Sequence, residues 1–427
     1  MKNMVLLSKL FFSDQFVLTL LIPTFILDAG NGLFPLIHLR GISFILVLLK
    51  LISYFFKGVR DKNIIIFIIL SIIIPFYGSI VGLINGNKIG FIIGDANGYV
   101  FLLTGLGLSF ITFSNPSTKL FIKKLVVLCG LILSVLTILI FLFYMFGIDI
   151  YSSAYYLKKY NLGFAGIEVN GEVRIFLRGF IYVVLATFFL LSGLLNHEYI
   201  FDRRKDKLSV FIMMITLLLS NTRGIWVSFF IGASIIFTLF NGFGYLKGKA
   251  KLFYSFAVKR KLLSIFILLL VITGITFFFG SYIVNTFERI TSIFDFSQAN
   301  ESNSIRKEQA VKLIAEFFNH PIFGKGFGGT LESGYVRSVS EPYSFELSYL
   351  ELLYKLGIVG FSIFVMGLVL FFRAILNLND KKMNITLFAA GISLLFISIT
   401  NPYIVSSLGI FYLSLIYAFT NTAYKHT

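Results

Sequence analysis

Residues 120–147 read LFIKKLVVLCGLILSVLTILIFLFYMFG. No charged residue occurs between Lys124 and Gly147, and most positions are Leu, Ile, Val or Phe. At about 1.5 Å rise per residue, a helix over this stretch crosses a hydrocarbon core of about 30 Å. The run therefore reads as a transmembrane helix. Comparable apolar runs recur on both sides of it, near residues 11–29, 33–56, 62–83, 89–112, 173–195, 207–221, 223–241, 262–284, 345–373, 383–400 and 402–420. Together they give about twelve spans and an all-α, polytopic membrane protein.

Composition agrees with this reading. Of 427 residues 57% are hydrophobic and only 13% charged, with 52 Phe, whereas soluble domains carry roughly 25% charged residues. The net charge of +17 does not indicate nucleic acid, because Lys and Arg fall in short segments between apolar runs and form no basic patch interleaved with aromatics. It fits the cytoplasmic excess of Lys and Arg in membrane proteins. With the N-terminus inside, cytoplasmic segments hold 22 of the 37 basic residues and outer segments ten, so both termini are expected inside. Lys2 and Lys9 precede a first run that includes Asp14 and Gln15 and shows no convincing cleavage site, so it reads as a retained span. Cys129 lies inside an apolar run and offers neither a disulfide framework nor a zinc spacing.

This topology divides the chain into spans one to nine over 1–284 with an outer loop at 148–172, a large outer loop over 285–344, and spans ten to twelve over 345–427. Function concentrates in long ordered loops. Within the larger one, residues 304–318 read as an amphipathic helix lying along the membrane surface, with Ala310, Leu313, Ile314, Phe317 and Phe318 at helical spacing. It runs into NHPIFGKGFGG, residues 319–329. Gly324, Gly326 and Gly329 formally satisfy G-x-G-x-x-G, but the segment follows a helix and no βαβ unit can be built around it, which excludes a dinucleotide site. Two readings are left: a plain structural turn, or a turn whose amides face an anion.

No P-loop, no H-E-x-x-H and no D-x-D pair occurs, and the four histidines are scattered. No metal site, cofactor or ATP chemistry is indicated. An enzyme of this kind takes a substrate that is already activated.

The informative residues are arginines at the outer face, where charge at membrane depth is costly. Arg174 and Arg178 stand four apart on one face of span six, where it enters the membrane from outside. Arg223 follows Asn221 and Thr222 and opens span eight, so its guanidinium coincides with the positive end of a helix dipole. Arg306 begins the loop helix, and Arg40 lies about two turns into span two. Any one of them is explained equally well by headgroup anchoring. As a set with few carboxylates nearby, they suit a diphosphate. Lys50 and Asp14 read as snorkelling residues near the cytoplasmic side, and Asp95 as a structural partner for an arginine.

Span ten opens with EPYSFELSYLELLYKLGIVGF, residues 341–361. Glu346 falls in its first turn with Tyr349 one turn below, while Glu351 and Lys355 are spaced to pair with each other. Glu346 reads either as a general base or as a helix-start carboxylate that favours the dipole. Tyr151, Tyr155, Tyr156, Tyr160, Tyr335 and Tyr343 read chiefly as an interfacial aromatic belt, with sugar stacking as the alternative.

Three segments in order, LLLSNTRGIWVSF (217–229), SIRKEQAVKLIAEFFNHPIFGKGFGG (304–329) and SFELSYLELLYKLGIVG (344–360), resemble the O-antigen polymerase and ligase superfamily. The resemblance implies a metal-independent helical glycosyltransferase fold of the C type. It also implies transfer of a glycan from an undecaprenyl diphosphate carrier to an acceptor hydroxyl at the outer face of the bacterial inner membrane. Arg223 matches the arginine of the family's Ser/Thr-Arg-Gly motif, and Arg306 the arginine preceding the Pro and Gly-x-Gly turn. Ligases of the family carry a His-Asn pair eleven residues before the Gly of a G-[IL]-x-G motif. Counting back eleven from Gly357 gives Glu346 followed by Leu347, and Ser344-Phe345-Glu346 resembles the polymerase branch.

The expectation is thus a polymerase of undecaprenyl-diphosphate-linked oligosaccharide repeat units. Glu346 is its base, Arg40, Arg174, Arg178, Arg223 and Arg306 hold the diphosphate, and Tyr349 and Asp95 support them. Partners are the lipid-linked oligosaccharide, membrane lipid and a candidate chain-length regulator protein, with no nucleic acid. The alternatives are a ligase joining glycan to a lipid core and, from another class, a flippase of lipid-linked sugar. A flippase should show repeated halves and charge through the midplane, and no convincing repeat is seen.

Overall fold

The computed structural model describes residues 13–28, 38–147, 150–167, 173–245, 301–331, 341–420 and 423–425. The expected span at 262–284, the loop start at 285–300, Lys2, Lys9 and Tyr335 lie outside these residues. Among the described residues, six helical stretches are long and apolar enough to cross a membrane. They are α2 (Leu39–Phe56), α3 (Ile64–Ile84), the pair α4 (Ile89–Val100) and α5 (Leu103–Ser114), α6 (Ser117–Met145), α10 (Arg223–Tyr245, apolar through Phe240) and α12 (Ser348–Leu376). The protein is an all-α, multi-pass membrane protein.

The fold is built around two shorter helices, α8 (Phe180–Asn196) and α14 (Ser407–Tyr417). Every residue of α8 from Phe180 to Leu190, and of α14 from Leu408 to Tyr417, is buried. A helix apolar on all sides belongs at the centre of a bundle. Their neighbours show the opposite pattern. Helix α6 buries Val126, Cys129, Gly130, Leu133 and Thr137 on one side, yet exposes Leu128, Ile132, Val135, Leu139 and Phe143 on the other. An apolar outer face of this kind is solvated by lipid chains. Helix α1 (Asp14–Ile26) packs on α2 and α6, and α9 (Arg203–Leu219) on α6 and α8. Helix α13 (Lys381–Ile397) packs along α10, tied by Ser393 Oγ donating to the Ser228 carbonyl at 2.7 Å.

Among the described residues, two short antiparallel pairs accompany the helices. Strand β1 (Val59–Asp61) pairs with β4 (Ala423–Lys425), which puts the connection after α2 and the C-terminal strand at one end of the bundle. Strand β2 (Gly163–Ile167), after helix α7 (Ile150–Lys159), pairs with β3 (Val173–Leu177). This second hairpin corrects the expected span at 173–195, because only 180–196 is helix. Val173, Ile175 and Leu177 alternate with Arg174 and Phe176, giving a period of two, and Val173, Ile175 and Leu177 alone are fully buried. A period of two selects a strand over a helix. Lys50 and Asp14 are also corrected. They do not snorkel but bond each other at 2.7 Å, with the Tyr54 hydroxyl donating to Asp14 at 2.9 Å.

Helix α12 is broken at Gly357, whose φ of 61° lies in the left-handed region. At this break the Pro and Gly rich segment 320–331 docks. The Ile358 N–H donates to the Pro321 carbonyl at 2.9 Å and the Val359 N–H to Ile322 at 3.1 Å. In return the Lys325 and Gly326 N–H groups donate to the Tyr354 and Lys355 carbonyls at 2.9 and 2.8 Å. Two helical hydrogen bonds are thus exchanged for four to the loop, and no backbone group is lost at membrane depth. From the other side, Asn87 Nδ2 donates to the Lys325 and Phe327 carbonyls at 2.9 Å each. Among the described residues the turn is structural: its amides go to protein carbonyls, except that of Gly328, which donates to the Asp95 carboxylate at 2.9 Å.

Candidate active site

Helix α11 (Glu301–Asn319) turns Gln309, Leu313 and Glu316 inward against α12 and leaves Val311, Ile314 and Phe318 exposed. Its inward face carries polar residues because it grips a polar target, the short segment before α12. Gln309 Oε1 accepts from the N–H groups of Glu346 and Leu347 at 2.9 and 3.1 Å. Arg306 Nε donates to Glu346 Oε2 at 3.0 Å. Arg306 and Gln309 stand one turn apart, so a single helical face fixes both the backbone and the carboxylate of Glu346. Glu346 therefore precedes the helix rather than lying in its first turn, and its partner comes from the distant loop helix. The Glu346 and Arg306 side chains are 24% and 27% exposed, which leaves the pair within reach of a ligand.

Beneath this pair the segment joins a connection that the sequence reading overlooked. Ser348 Oγ donates to the Asn401 carbonyl at 2.9 Å. Asn401 belongs to the irregular stretch 400–406 between α13 and α14, which also borders the start of α10. A Cβ on Gly224 would meet Asn401 Nδ2 at 3.0 Å, so Arg223, the first residue of α10, sits next to this stretch. At its far end Arg40 Nη1 donates to Ser407 Oγ at 3.4 Å, while Nη2 donates to the Asp28 carbonyl at 2.8 Å. Arg40 is the second residue of α2, not two turns in, and its guanidinium lies over the Phe25 ring at 5.0 Å. Arg178, in the turn after β3, is close enough to act electrostatically on Arg40 and Tyr403.

Arg174 stands apart from this grouping in one respect. It lies mid-strand on β3 opposite Gly166, and four residue rises along the extended chain separate it from Arg178 by roughly 13 Å. The two are not neighbours on one helical face. Tyr349 donates its hydroxyl to the Leu395 carbonyl at 2.7 Å and so ties α12 to α13. Asp95 pairs with Lys355 at 2.7 Å rather than with an arginine. Lys355 also binds Glu351, the pair expected from their spacing, and its ammonium lies 5.7 Å from the rings of Tyr343 and Phe345. The Glu351 carboxylate accepts from the Phe345 N–H at 3.2 Å. Burial, with the Glu341 and Asp95 carboxylates adding to it, pushes the Tyr343 phenol above its usual range.

No group of three or more His, Cys, Asp or Glu among the described residues is arranged to hold a metal ion. The signals for the overlooked residues were present but faint. Asn401-Pro402 is a turn dipeptide between two apolar runs, and Gln309 shares a helical face with Leu313 and Glu316.

Comparison with known proteins follows the same segments. Residues 208–365 match the O-antigen ligase family, a range that contains Arg223, Arg306, Glu346 and the break at Gly357. A protein described as O-antigen polymerase from Shigella flexneri is 25% identical over 393 residues, covering 90% of this chain and 87% of that protein. The three sequence segments and these two matches together support the resemblance of the chain to the O-antigen polymerase and ligase superfamily.

Proposed function

We propose that this protein polymerises undecaprenyl-diphosphate-linked oligosaccharide repeat units, as an O-antigen polymerase, at the outer face of the bacterial inner membrane. The observation that carries the reading is the carboxylate of Glu346, held by Arg306 and Gln309 beside the stretch 400–407 that Arg40 and Arg223 border. Glu346 takes the proton from the attacking sugar hydroxyl. The sugar oxygen bonds to the anomeric carbon of the donor glycan, and the bond from that carbon to the diphosphate breaks. The departing lipid diphosphate carries the electron pair, and Arg40, Arg178, Arg223 and Arg306 stabilise its charge as planar donors. Arg174, on the adjoining strand, acts further along the lipid-linked substrate. Tyr349 and Asp95 support the site by fixing α12 and the Pro and Gly rich turn. Twelve spans, cytoplasmic termini, a lipid-linked substrate and a chain-length regulator as partner belong to the same reading.

The ligase reading has one observation in its favour, the ligase description of the family matched over 208–365. Glu346-Leu347 in place of the ligase His-Asn pair favours the polymerase. The test is polymerisation of purified lipid-linked repeat units by purified protein with chelator present, read as a ladder on a gel. Wild type is expected to build a ladder, and Glu346→Gln, which keeps shape but accepts no proton, to extend chains on the order of a hundredfold more slowly. A full ladder from Glu346→Gln removes the base assignment. Transfer of glycan to a lipid core without a ladder selects the ligase.

A further inference from the structure

Helix α14 has 11 residues and rises about 16 Å, half of a hydrocarbon core. Its N-terminal end and the stretch 400–406 before it are enclosed by protein, beside Arg40, Gly224 and Ser348 of the neighbouring helices. Irregular backbone at such depth is tolerated where it is enclosed by protein or lines a cavity, and short or interrupted segments of this kind mark binding sites. Within the stretch, the backbone of Tyr403 is locked. Its N–H donates to the Asn401 carbonyl at 2.8 Å, and its carbonyl accepts from the N–H and Oγ of Ser406 at 3.0 and 2.9 Å.

The side chain of Tyr403 is only 6% exposed, yet its hydroxyl makes no hydrogen bond among the described residues. The Tyr182 hydroxyl, which acts on it electrostatically, already donates to the Leu408 carbonyl at 2.7 Å. Among the described residues, nearby cations include Arg178, which acts electrostatically on Tyr403, and Arg40, which bonds Ser407 four residues on. Guanidinium groups have donors and no acceptor. A buried phenol beside arginines thus needs an acceptor that they cannot provide, and buried polar groups are seldom left in that state without a functional cause. A phosphate oxygen accepts from the phenol and from both guanidiniums at once.

We propose that Tyr403 donates its hydroxyl hydrogen to a diphosphate oxygen of the lipid carrier, between Arg178 and Arg40. This is a further substrate-binding residue of the site described under the proposed function, and it rests on that reading of the substrate. When the bond to the anomeric carbon breaks, the electron pair goes to the diphosphate oxygen, the acceptor proton goes to Glu346, and the phenol keeps its own proton.

The test is equilibrium binding of undecaprenyl diphosphate to the full-length protein in phosphatidylcholine nanodiscs, with undecaprenol as the uncharged control. Tyr403→Phe is expected to weaken undecaprenyl diphosphate about tenfold and to leave undecaprenol unchanged. In a second arm, 3-fluorotyrosine at position 403 is expected to shift its fluorine resonance on addition of undecaprenyl diphosphate and not of undecaprenol. This arm retains the phenol, so it decides the matter even where Tyr403→Phe fails to fold. Equal affinities of wild type and Tyr403→Phe, no binding by wild type, or an unmoved resonance with the diphosphate lipid bound each overturn the proposal. So does the same shift produced by phosphatidylglycerol nanodiscs alone, which assigns the phenol to a phospholipid headgroup. Binding requires no polymerisation. A protein that binds through Tyr403 but builds no ladder therefore refutes the polymerase and keeps this proposal, and the converse result does the reverse.

Discussion

Replacing Lys355 by methionine should cost more than any surface change in this protein. The Lys355 ammonium bonds Asp95 at 2.7 Å and also Glu351, and the three side chains are 2%, 10% and 3% exposed. Both carboxylates contact the same nitrogen, so their oxygens lie within about 5 Å of each other. Without the ammonium they repel by about 3 kcal/mol at an effective dielectric of about 20, in line with the about 3–5 kcal/mol seen when one partner of a buried ion pair is removed. Glu351→Gln is the contrast. It leaves the Lys355–Asp95 pair neutral and keeps an amide oxygen for the Phe345 N–H, so its cost is about 1 kcal/mol. Thermal unfolding of detergent-purified protein should show Lys355→Met lowering Tm at least twice as far as Glu351→Gln. The double variant, which leaves one carboxylate bonded to the Gly328 N–H, should recover part of the loss. Equal shifts for the two single variants would refute the reasoning that these charges are held by one another.

Gln309→Ala should slow chain extension tenfold or more while Gln309→Glu, which retains an acceptor for the Glu346 and Leu347 amides, keeps most of it; ladder formation by the purified variants reads this. Gly357→Ala should destabilise by on the order of 3 kcal/mol, since φ is 61° and its Cβ would meet the Gly324 nitrogen at 2.5 Å, and loss of monodisperse protein in size-exclusion chromatography would report it. Arg178→Lys and Arg223→Lys should each lose most polymer yield with membrane protein level unchanged, because an ammonium cannot present a planar fork; normal long-chain polysaccharide from both would leave headgroup anchoring as their role. Reporter fusions at Lys205 and Lys382 should read cytoplasmic and one at Lys158 external, and the opposite pattern would remove the outer-face assignment.

The helical membrane fold was legible because its signal is long-range and one-dimensional: a run such as 125–147 has few alternatives once charge is absent. The strand at 173–177 was lost for the same reason, since an apolar run joined to another apolar run hides a change of period. Arg223 at a helix start could be read from Asn221 and Thr222 before it. The bonding of Glu346 could not, because Arg306 lies 40 residues away and nothing local announces a partner at that distance. Lys355 was legible only in part. Its spacing from Glu351 predicts one ion pair, whereas Asp95 comes from another helix altogether. The stretch 400–406 was read as the start of a span because Tyr, Ile and Val continue the apolar pattern through a place where the helix has stopped.

The exchange of hydrogen bonds between the 320–331 segment and the broken helix has a consequence for how the chain is made. Asn87 bonds carbonyls 238 and 240 residues later in the sequence. At a synthesis rate of about 5–20 residues per second, α3 and α4 enter the membrane roughly ten to fifty seconds before those partners exist. During that interval Asn85, Asn87 and Asp95 lie in a helical hairpin that has no docked turn to receive them. Until then the nascent chain carries these polar groups without the turn that binds them, which makes it a natural client for membrane chaperones and proteases. A chain truncated before residue 320 should be degraded rather than accumulate as a stable fragment.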